Sequence, residues 1–303
     1  MKAIVIKKPG PNATLEYKDV EKPVPARDEV LVNIKAATVT SGDVVMRKMH
    51  PILVAIFSLF GLRKKTIPGH EFSGEIVKAG DAVYRYKAGD LVFGTTTGLA
   101  GGANAEYVCV PEKGRMCVLA LIPDSVSFGD AAALPVGGMT ALYLLKKAGL
   151  KEGEKALVYG ASGSVGTYAV QLAHHLGASV TGVCSSRNTD LVQSLGAESV
   201  IDYKKEDFKN SGKKYDVILD AVGKISAKEC KGLLKERGVF VSVRTPTKET
   251  SDNLEELAGL LAGGQIRAVI DKRFPLEKTA EAHQYVETGR KRGNVVIEVE
   301  KPA

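Results

Sequence analysis

The chain has 303 residues, enough to bury a substantial core in one large domain or two ordinary ones, and its 44% hydrophobic and 25% charged content excludes a disordered or fibrous protein. The net charge of +7 comes from 42 Lys plus Arg against 35 Asp plus Glu, spread along the sequence without a basic tail, so a nucleic-acid partner is not expected. No apolar run reaches the ~18–20 residues that span a bilayer, the opening MKAIVIKKPG predicts no leader, and four scattered cysteines argue against a disulfide framework and for a reducing cytoplasm.

The first ~120 residues read as β-rich. EVLVNI (Glu29–Ile34), GEIV (Gly74–Val77), LVF (Leu91–Phe93) and EYVCV (Glu106–Val110) alternate or run apolar, with turns at Pro23-Val24-Pro25 and Lys87-Ala88-Gly89-Asp90 between them. Short punctuated strands of this kind predict an antiparallel, barrel-like unit. Within it, MHPILVAIFSLFGLRKK (Met49–Lys65) is unusually apolar, with Pro51 to Leu62 set between two basic clusters. That insert admits two readings. One is a lid over a pocket, lined by Phe57 and Phe60; the other is a surface helix, 51–62, in weak contact with an anionic membrane.

From about Pro123 the rhythm changes. Helical sequence over Phe128–Leu145, broken at Pro135-Val136-Gly137-Gly138, leads into strand ALVY (Ala156–Tyr159), a glycine turn and helix Val165–Leu176. Strand SVTGVC (Ser179–Cys184), helix Thr189–Leu195 and strands SVID (Ser199–Asp202) and DVILD (Asp216–Asp220) follow. Helix Ser226–Leu234 and strand GVFVSV (Gly238–Val243) complete the alternation, which predicts parallel β-α-β units. Strand IRAVID (Ile266–Asp271), a helix near Leu276–Val286 and strand VVIEV (Val295–Val299) end the chain and are expected to rejoin the first domain.

The turn VYGASGSVG carries Gly160, Gly163 and Gly166, with Ser162, Ser164 and Val165 between them. Strand, spaced glycines, then helix is the arrangement that binds a pyrophosphate. One glycine permits the turn, one lets backbone approach the phosphates, and one allows close helix–strand packing. The N–H groups at the helix start donate to the anion. The spacing here is G-x-x-G-x-x-G. Past the second strand stand Ser185, Ser186 and Arg187, with no acid until Asp190. An NAD site usually places a carboxylate there for the ribose 2′-hydroxyl. A guanidinium and two hydroxyls suit a 2′-phosphate instead, which predicts NADPH.

Taken with the glycine turn, IPGHEFSGEIVKAG (Ile67–Gly80), KAGDLVFG (Lys87–Gly94), AALPVGGMTALYLL (Ala132–Leu145) and LGAESVIDYKKEDF (Leu195–Phe208) make the chain resemble the medium-chain dehydrogenase/reductase superfamily, in its zinc-less quinone oxidoreductase branch. The resemblance runs nearly end to end. It implies an α/β fold with a discontinuous GroES-like β-barrel domain (1–123 and 267–303) and a doubly wound Rossmann domain (124–266). It also implies a substrate cleft between them and a homodimer paired through the strand Gly238–Val243. At matching positions it implies cofactor contacts from Thr140, Tyr203, Val222, Ser242 and Asn294.

Zinc-dependent relatives use a cysteine where this chain has Thr40, the His of a G-H-E motif, here Gly69-His70-Glu71, and a cysteine near the start of the Rossmann region. The corresponding segment here is Leu134-Pro135-Val136-Gly137, and catalytic zinc needs three protein ligands, so no metal is expected. Without a Lewis acid, the electrophiles that remain reducible are quinones and α,β-unsaturated carbonyls. Thr40, Ser41 and His70 are the candidate proton donors, with solvent as the alternative. Many zinc-less relatives carry asparagine at the position of Thr40 and tyrosine at that of Val45. Two other functions remain open: an NADP-dependent alcohol or aldehyde dehydrogenase, and a nucleotide- or RNA-binding protein with little catalysis.

Overall fold

A computed structural model of the chain describes residues 1–7, 10, 14–49, 53, 66–99, 101–114 and 117–299. The expectation for 51–62, including Phe57 and Phe60, therefore falls outside the described residues except at Leu53. The strands are β1 (Lys2–Ile6), β2 (Leu15–Asp19), β3 (Glu29–Thr38), β4 (Glu71–Ala79), β5 (Leu91–Thr95), β6 (Tyr107–Pro111), β7 (Leu119–Leu121), β8 (Lys155–Tyr159), β9 (Ser179–Cys184), β10 (Ser199–Asp202), β11 (Tyr215–Asp220), β12 (Leu234–Ser242), β13 (Ile270–Pro275) and β14 (Asn294–Glu298). They divide between two units, residues 1–136, 249–262 and 270–303 in the first and 137–248 and 263–269 in the second.

In the first unit a seven-stranded sheet runs β13-β14-β3-β4-β5-β7, with β6 also on β3. All pairings but β13–β14 are antiparallel. Strand β3 is central, which explains why Val30, Val32, Ile34 and Ala37 are all fully buried. They join Phe72, Ile76, Val92, Leu119, Val295 and Ile297 in one core. A separate antiparallel pair joins β1 and β2.

The second unit is a fully parallel sheet in the order β10-β9-β8-β11-β12. The chain winds outward from β8 through β9 to β10, then returns to the other side of β8 for β11 and β12. The C-terminal ends of β8 and β11 thus flank the switch point at which open α/β sheets bind ligands. Leu157, Val183, Ile201 and Ile218 bury the sheet against Phe208, Tyr215 and Leu233.

The unit boundaries differ from those expected. Residues 124–136 belong to the first unit, where the Ser73 hydroxyl donates to the Phe128 carbonyl at 2.6 Å. The helix Ser251–Ala262 also belongs there, preceded by Glu249, which accepts from the hydroxyls of Thr95 (2.5 Å) and Thr97 (2.9 Å). Residues 263–269 stay with the second unit. Buried Gln171 clamps them, accepting from the Arg267 amide at 2.8 Å and donating to its carbonyl at 3.1 Å. That clamp occupies backbone that a strand would need, so the expected strand Ile266–Asp271 begins only at Ile270. Two helices differ as well. The run over Phe128–Leu145 is broken into two helices as expected, Phe128–Ala132 and Pro135–Ala148, but the break falls at Ala133-Leu134: Pro135 opens the second helix, since a first-turn proline forfeits no helical hydrogen bond. The helix expected over Ser226–Leu234 is one α turn, Ala227–Cys230, then a 3₁₀ turn.

Candidate functional site

In the second unit, the glycine turn joins β8 to the helix Ser164–His175. Gly160 has φ +80°, and a Cβ there would lie 2.1 Å from Val222 Cγ2. A Cβ on Gly166 would lie 2.2 Å from the Gly160 carbonyl oxygen. These two glycines are spoken for by packing. Gly163 differs: it is the N-cap, without a side-chain cap, and an added Cβ would meet nothing closer than 3.5 Å. The space above the helix start is what a phosphate would fill, with backbone amides and the positive helix end beneath it. Ser162, Ser164 and Val165 are half-buried around it. The residues fit a dinucleotide pyrophosphate.

Beyond β9, Ser185 is buried while Ser186 and Arg187 are exposed. Buried Asn188 donates to Ser162 Oγ at 2.8 Å and to Ser185 Oγ at 3.4 Å, tying this bend to the glycine turn. Ser186 does not wait open for a ligand; its hydroxyl donates to Asp202 at the end of β10. Tyr203 follows, half exposed at 52%, with its amide on the Cys184 carbonyl at 3.2 Å. Thr140 is half-buried on the helix Pro135–Ala148.

Sequence reasoning missed Asp220. Fully buried at the end of β11, it accepts the amides of Val222 (3.0 Å) and Gly223 (2.9 Å), with longer contacts from Lys224 and Ile225 at 3.4 Å. The Ser242 hydroxyl donates to it at 3.0 Å, so Ser242 acts on the switch-point loop through Asp220. Val222 itself is exposed at 44%.

In the first unit Thr40 and His70 meet at a residue the sequence reading passed over, Asp43. Thr40 caps the helix Ser41–Lys48: its Oγ1 accepts the Asp43 amide at 3.0 Å and donates to Asp43 Oδ2 at 2.6 Å. Asp43 reaches back to the Thr40 amide at 2.8 Å, completing a capping box. The spacing Thr-x-x-Asp was the available signal. Its other oxygen takes the Gly69 amide at 3.0 Å and faces His70 Nδ1 at 2.5 Å. Burial alone would raise the Asp43 carboxyl, but the His70 imidazole, then His283 and the Thr40 hydroxyl, outweigh it and hold it well below the usual carboxylate range. With Nδ1 committed to Asp43, the Nε2 of His70 is the imidazole atom left for a ligand or a proton. Thr40, expected as a donor, has its hydroxyl proton engaged on Asp43; Ser41 is exposed.

Behind this pair lie more buried ionisable groups. Glu71 accepts from the Thr38 hydroxyl and, at 2.6 Å, from the Val136 amide; burial pushes it up to about 7 against those bonds. Lys291 donates to the Gly293 carbonyl at 2.5 Å, and burial of its ammonium lowers it to about 8. His283 is fully buried, with no hydrogen-bond partner on either nitrogen among the described residues, and burial lowers it to about 4. Asn294, buried at the start of β14, belongs to this unit too. A cavity of about 510 Å³ in the same unit is lined by Val5, Val20, Ile67, Leu99, Tyr107 and Cys109 among others, and includes none of Thr40, Ser41 and His70.

Comparison with known proteins agrees with both halves. Residues 26–124 match the alcohol dehydrogenase GroES-like domain, and residues 164–271 match the zinc-binding dehydrogenase family. A chloroplast envelope quinone oxidoreductase homolog of Arabidopsis thaliana is 34% identical, over 95% of this chain and 95% of that protein. The chain belongs to the medium-chain dehydrogenase/reductase superfamily, in its quinone oxidoreductase branch. An NADPH-dependent alkenal/one oxidoreductase of A. thaliana chloroplasts is also 34% identical, over 89% of this chain and 72% of its own length. The structure of the quinone oxidoreductase from Coxiella burnetii matches 99% of both chains with a TM-score of 0.89 at 29% identity.

The name zinc-binding dehydrogenase raises the question of whether this member of the superfamily has a donor set for zinc. Its residues do not fit one. Thr40 offers a hydroxyl engaged with Asp43, and both Glu71 oxygens already accept hydrogen bonds. His70 is the remaining donor of the three. Among the described residues, no group of three His, Cys, Asp or Glu side chains is placed to hold a metal ion.

Proposed function

We propose that the protein is an NADPH-dependent, zinc-independent reductase of quinones or α,β-unsaturated carbonyl compounds. The observation that carries this reading is the open cradle at Gly163, which leads to a second strand ending in Ser185-Ser186-Arg187. The quinone oxidoreductase and alkenal/one oxidoreductase relatives support the substrate class.

When bound, the reduced nicotinamide nucleotide supplies hydride to an electron-poor carbon. The chain's own residues bind and orient. The helix start at Ser164 takes the pyrophosphate through backbone amides, and Arg187 and Tyr203 take the adenosine end. Asp220 holds the switch-point loop against Gly160. An enone that has accepted hydride at its β-carbon is an enolate, and it needs one proton. The imidazolium form of His70 gives one from Nε2 and is reprotonated from solvent, its ring fixed by Asp43 through Nδ1. In this reading Thr40 supports the pair and is not itself the donor.

The test is the loss of NADPH absorbance against a panel of quinones, 2-alkenals, enones and saturated aldehydes, with elemental analysis of the same sample. Turnover of the conjugated substrates by metal-free protein is expected. Turnover confined to saturated aldehydes and dependent on added zinc would overturn the reading.

A further inference from the structure

The end of the parallel sheet holds a carboxylate where a scan along the sequence finds none. The bend after β9 reads Ser185-Ser186-Arg187, and the next acid in the chain is Asp190. Parallel pairing brings a different acid there. Strand β10 lies beside β9 in a register that sets Asp202 opposite Cys184, the last residue of β9. The Ser186 hydroxyl donates to Asp202 Oδ2, and the Lys204 amide donates to Oδ1 at 3.0 Å. The Tyr203 amide on the Cys184 carbonyl fixes the two strand ends to each other. Ser186 is thus turned toward a carboxylate and not toward an incoming anion. The Ser186 and Lys204 bonds also hold the Asp202 carboxyl below its ordinary range, so its charge persists across the neutral region.

The charges around the bend divide. Arg187, Lys204 and Lys205 favour a phosphate; Asp202 opposes one. Ser186 stands 20 residues past Gly166, the distance at which dinucleotide sites place the residue that meets the ribose 2′-position. We infer that Asp202 is a specificity-determining residue of the nucleotide site, opposing the 2′-phosphate so that the chain accepts NADH alongside NADPH with only a modest preference. This rests on the nucleotide reading given above and refines it: the guanidinium attracts the phosphate, and the acid on the neighbouring strand limits the gain.

The experiment is calorimetric titration of the full chain with two fragments, adenosine 2′,5′-bisphosphate and adenosine 5′-monophosphate, which differ only in the group at issue and need no catalysis. Asp202→Asn is compared with wild type and with Arg187→Ala. A carboxylate within one or two hydrogen-bond lengths of a phosphate in a solvated site is worth about three- to tenfold in affinity. Asp202→Asn should therefore bind the bisphosphate about three- to tenfold more tightly, with the monophosphate changed less than about twofold. Arg187→Ala should weaken the bisphosphate alone. Asp202→Ser, which removes the charge with a smaller side chain, gives the same comparison if the Asn variant folds poorly. An unchanged or weakened bisphosphate affinity in the folded variants would overturn the role of Asp202 and leave the nucleotide reading standing. No heat with either fragment in wild type would overturn both. An Arg187→Ala variant indistinguishable from wild type, beside a tightened Asp202→Asn, would support Asp202 and remove Arg187.

Discussion

The two units carry their charges in opposite ways. The second unit has 18 Lys and Arg against 11 Asp and Glu, and the first has 24 of each, so the whole net charge of +7 resides in the second. Its cationic side chains are mostly exposed, and what it offers a ligand is backbone at a helix start with a basic surround. The first unit is neutral in sum but buries Asp43, Glu71 and His283 and half-buries Lys291, each displaced from its ordinary titration range. One unit is built to attract an anion through geometry that costs little. The other keeps expensive groups out of water, as sites that handle protons do.

Substitutions can break that contrast, and the largest effect belongs to the glycine turn. In Gly166→Ala the new Cβ would meet the Gly160 carbonyl at 2.2 Å and Ala161 Cα at 2.8 Å, both backbone atoms that cannot swing aside. Loss of about 4 kcal/mol of stability and of measurable NADPH binding is expected, read by denaturant unfolding and calorimetry. The next effect concerns the buried acid. Burial raises Glu71 from 4.5 to about 7, so the folded state binds a proton more tightly than the unfolded chain. Its contribution is present below pH 4.5 and is lost as pH rises through 7, by about 3 kcal/mol in all. Glu71→Gln should flatten that limb of stability against pH and leave the variant more stable than wild type at pH 8; a parallel pair of curves would exclude the assignment. The smallest effect sharpens the division of labour. His70→Gln should lower kcat about tenfold with NADPH affinity unchanged, while Arg187→Ala raises KM for NADPH about tenfold with kcat intact at saturation.

Much of the second unit was legible because its chemistry is local. Strand Ser179–Cys184 and strand Ser199–Asp202 fall where apolar runs and turns put them, and the three glycines announce the cradle within seven residues. What escaped were contacts made by sheet register. Asp202 is 16 residues from Ser186 in sequence, and only parallel pairing of β9 with β10 joins them. Asp220 and Ser242 meet likewise, across 22 residues. In the first unit His70 was visible from its G-H-E motif, yet its partner Asp43 lies 27 residues earlier, on another element. Thr40 was read for its hydroxyl, while the Asp three residues on had already claimed it. The helix Ser251–Ala262 was missed: its leucines buried at 254 and 257 mark a core-facing side, but Gly259 within it and the pair Gly263-Gly264 after it masked the period.

The clamp formed by Gln171 has a consequence for how the polypeptide is strung. The chain crosses from one unit to the other after residues 136, 248, 262 and 269, so the nucleotide-binding half is finished by a seven-residue return. Cutting the gene at 137 and 248 would discard that return: Gln171 Oε1 would lose the Arg267 amide, and Nε2 would keep only the Thr167 carbonyl. The half that holds the glycine turn is therefore not a detachable cassette. Chimeras that exchange it must carry the distant seven residues along with it.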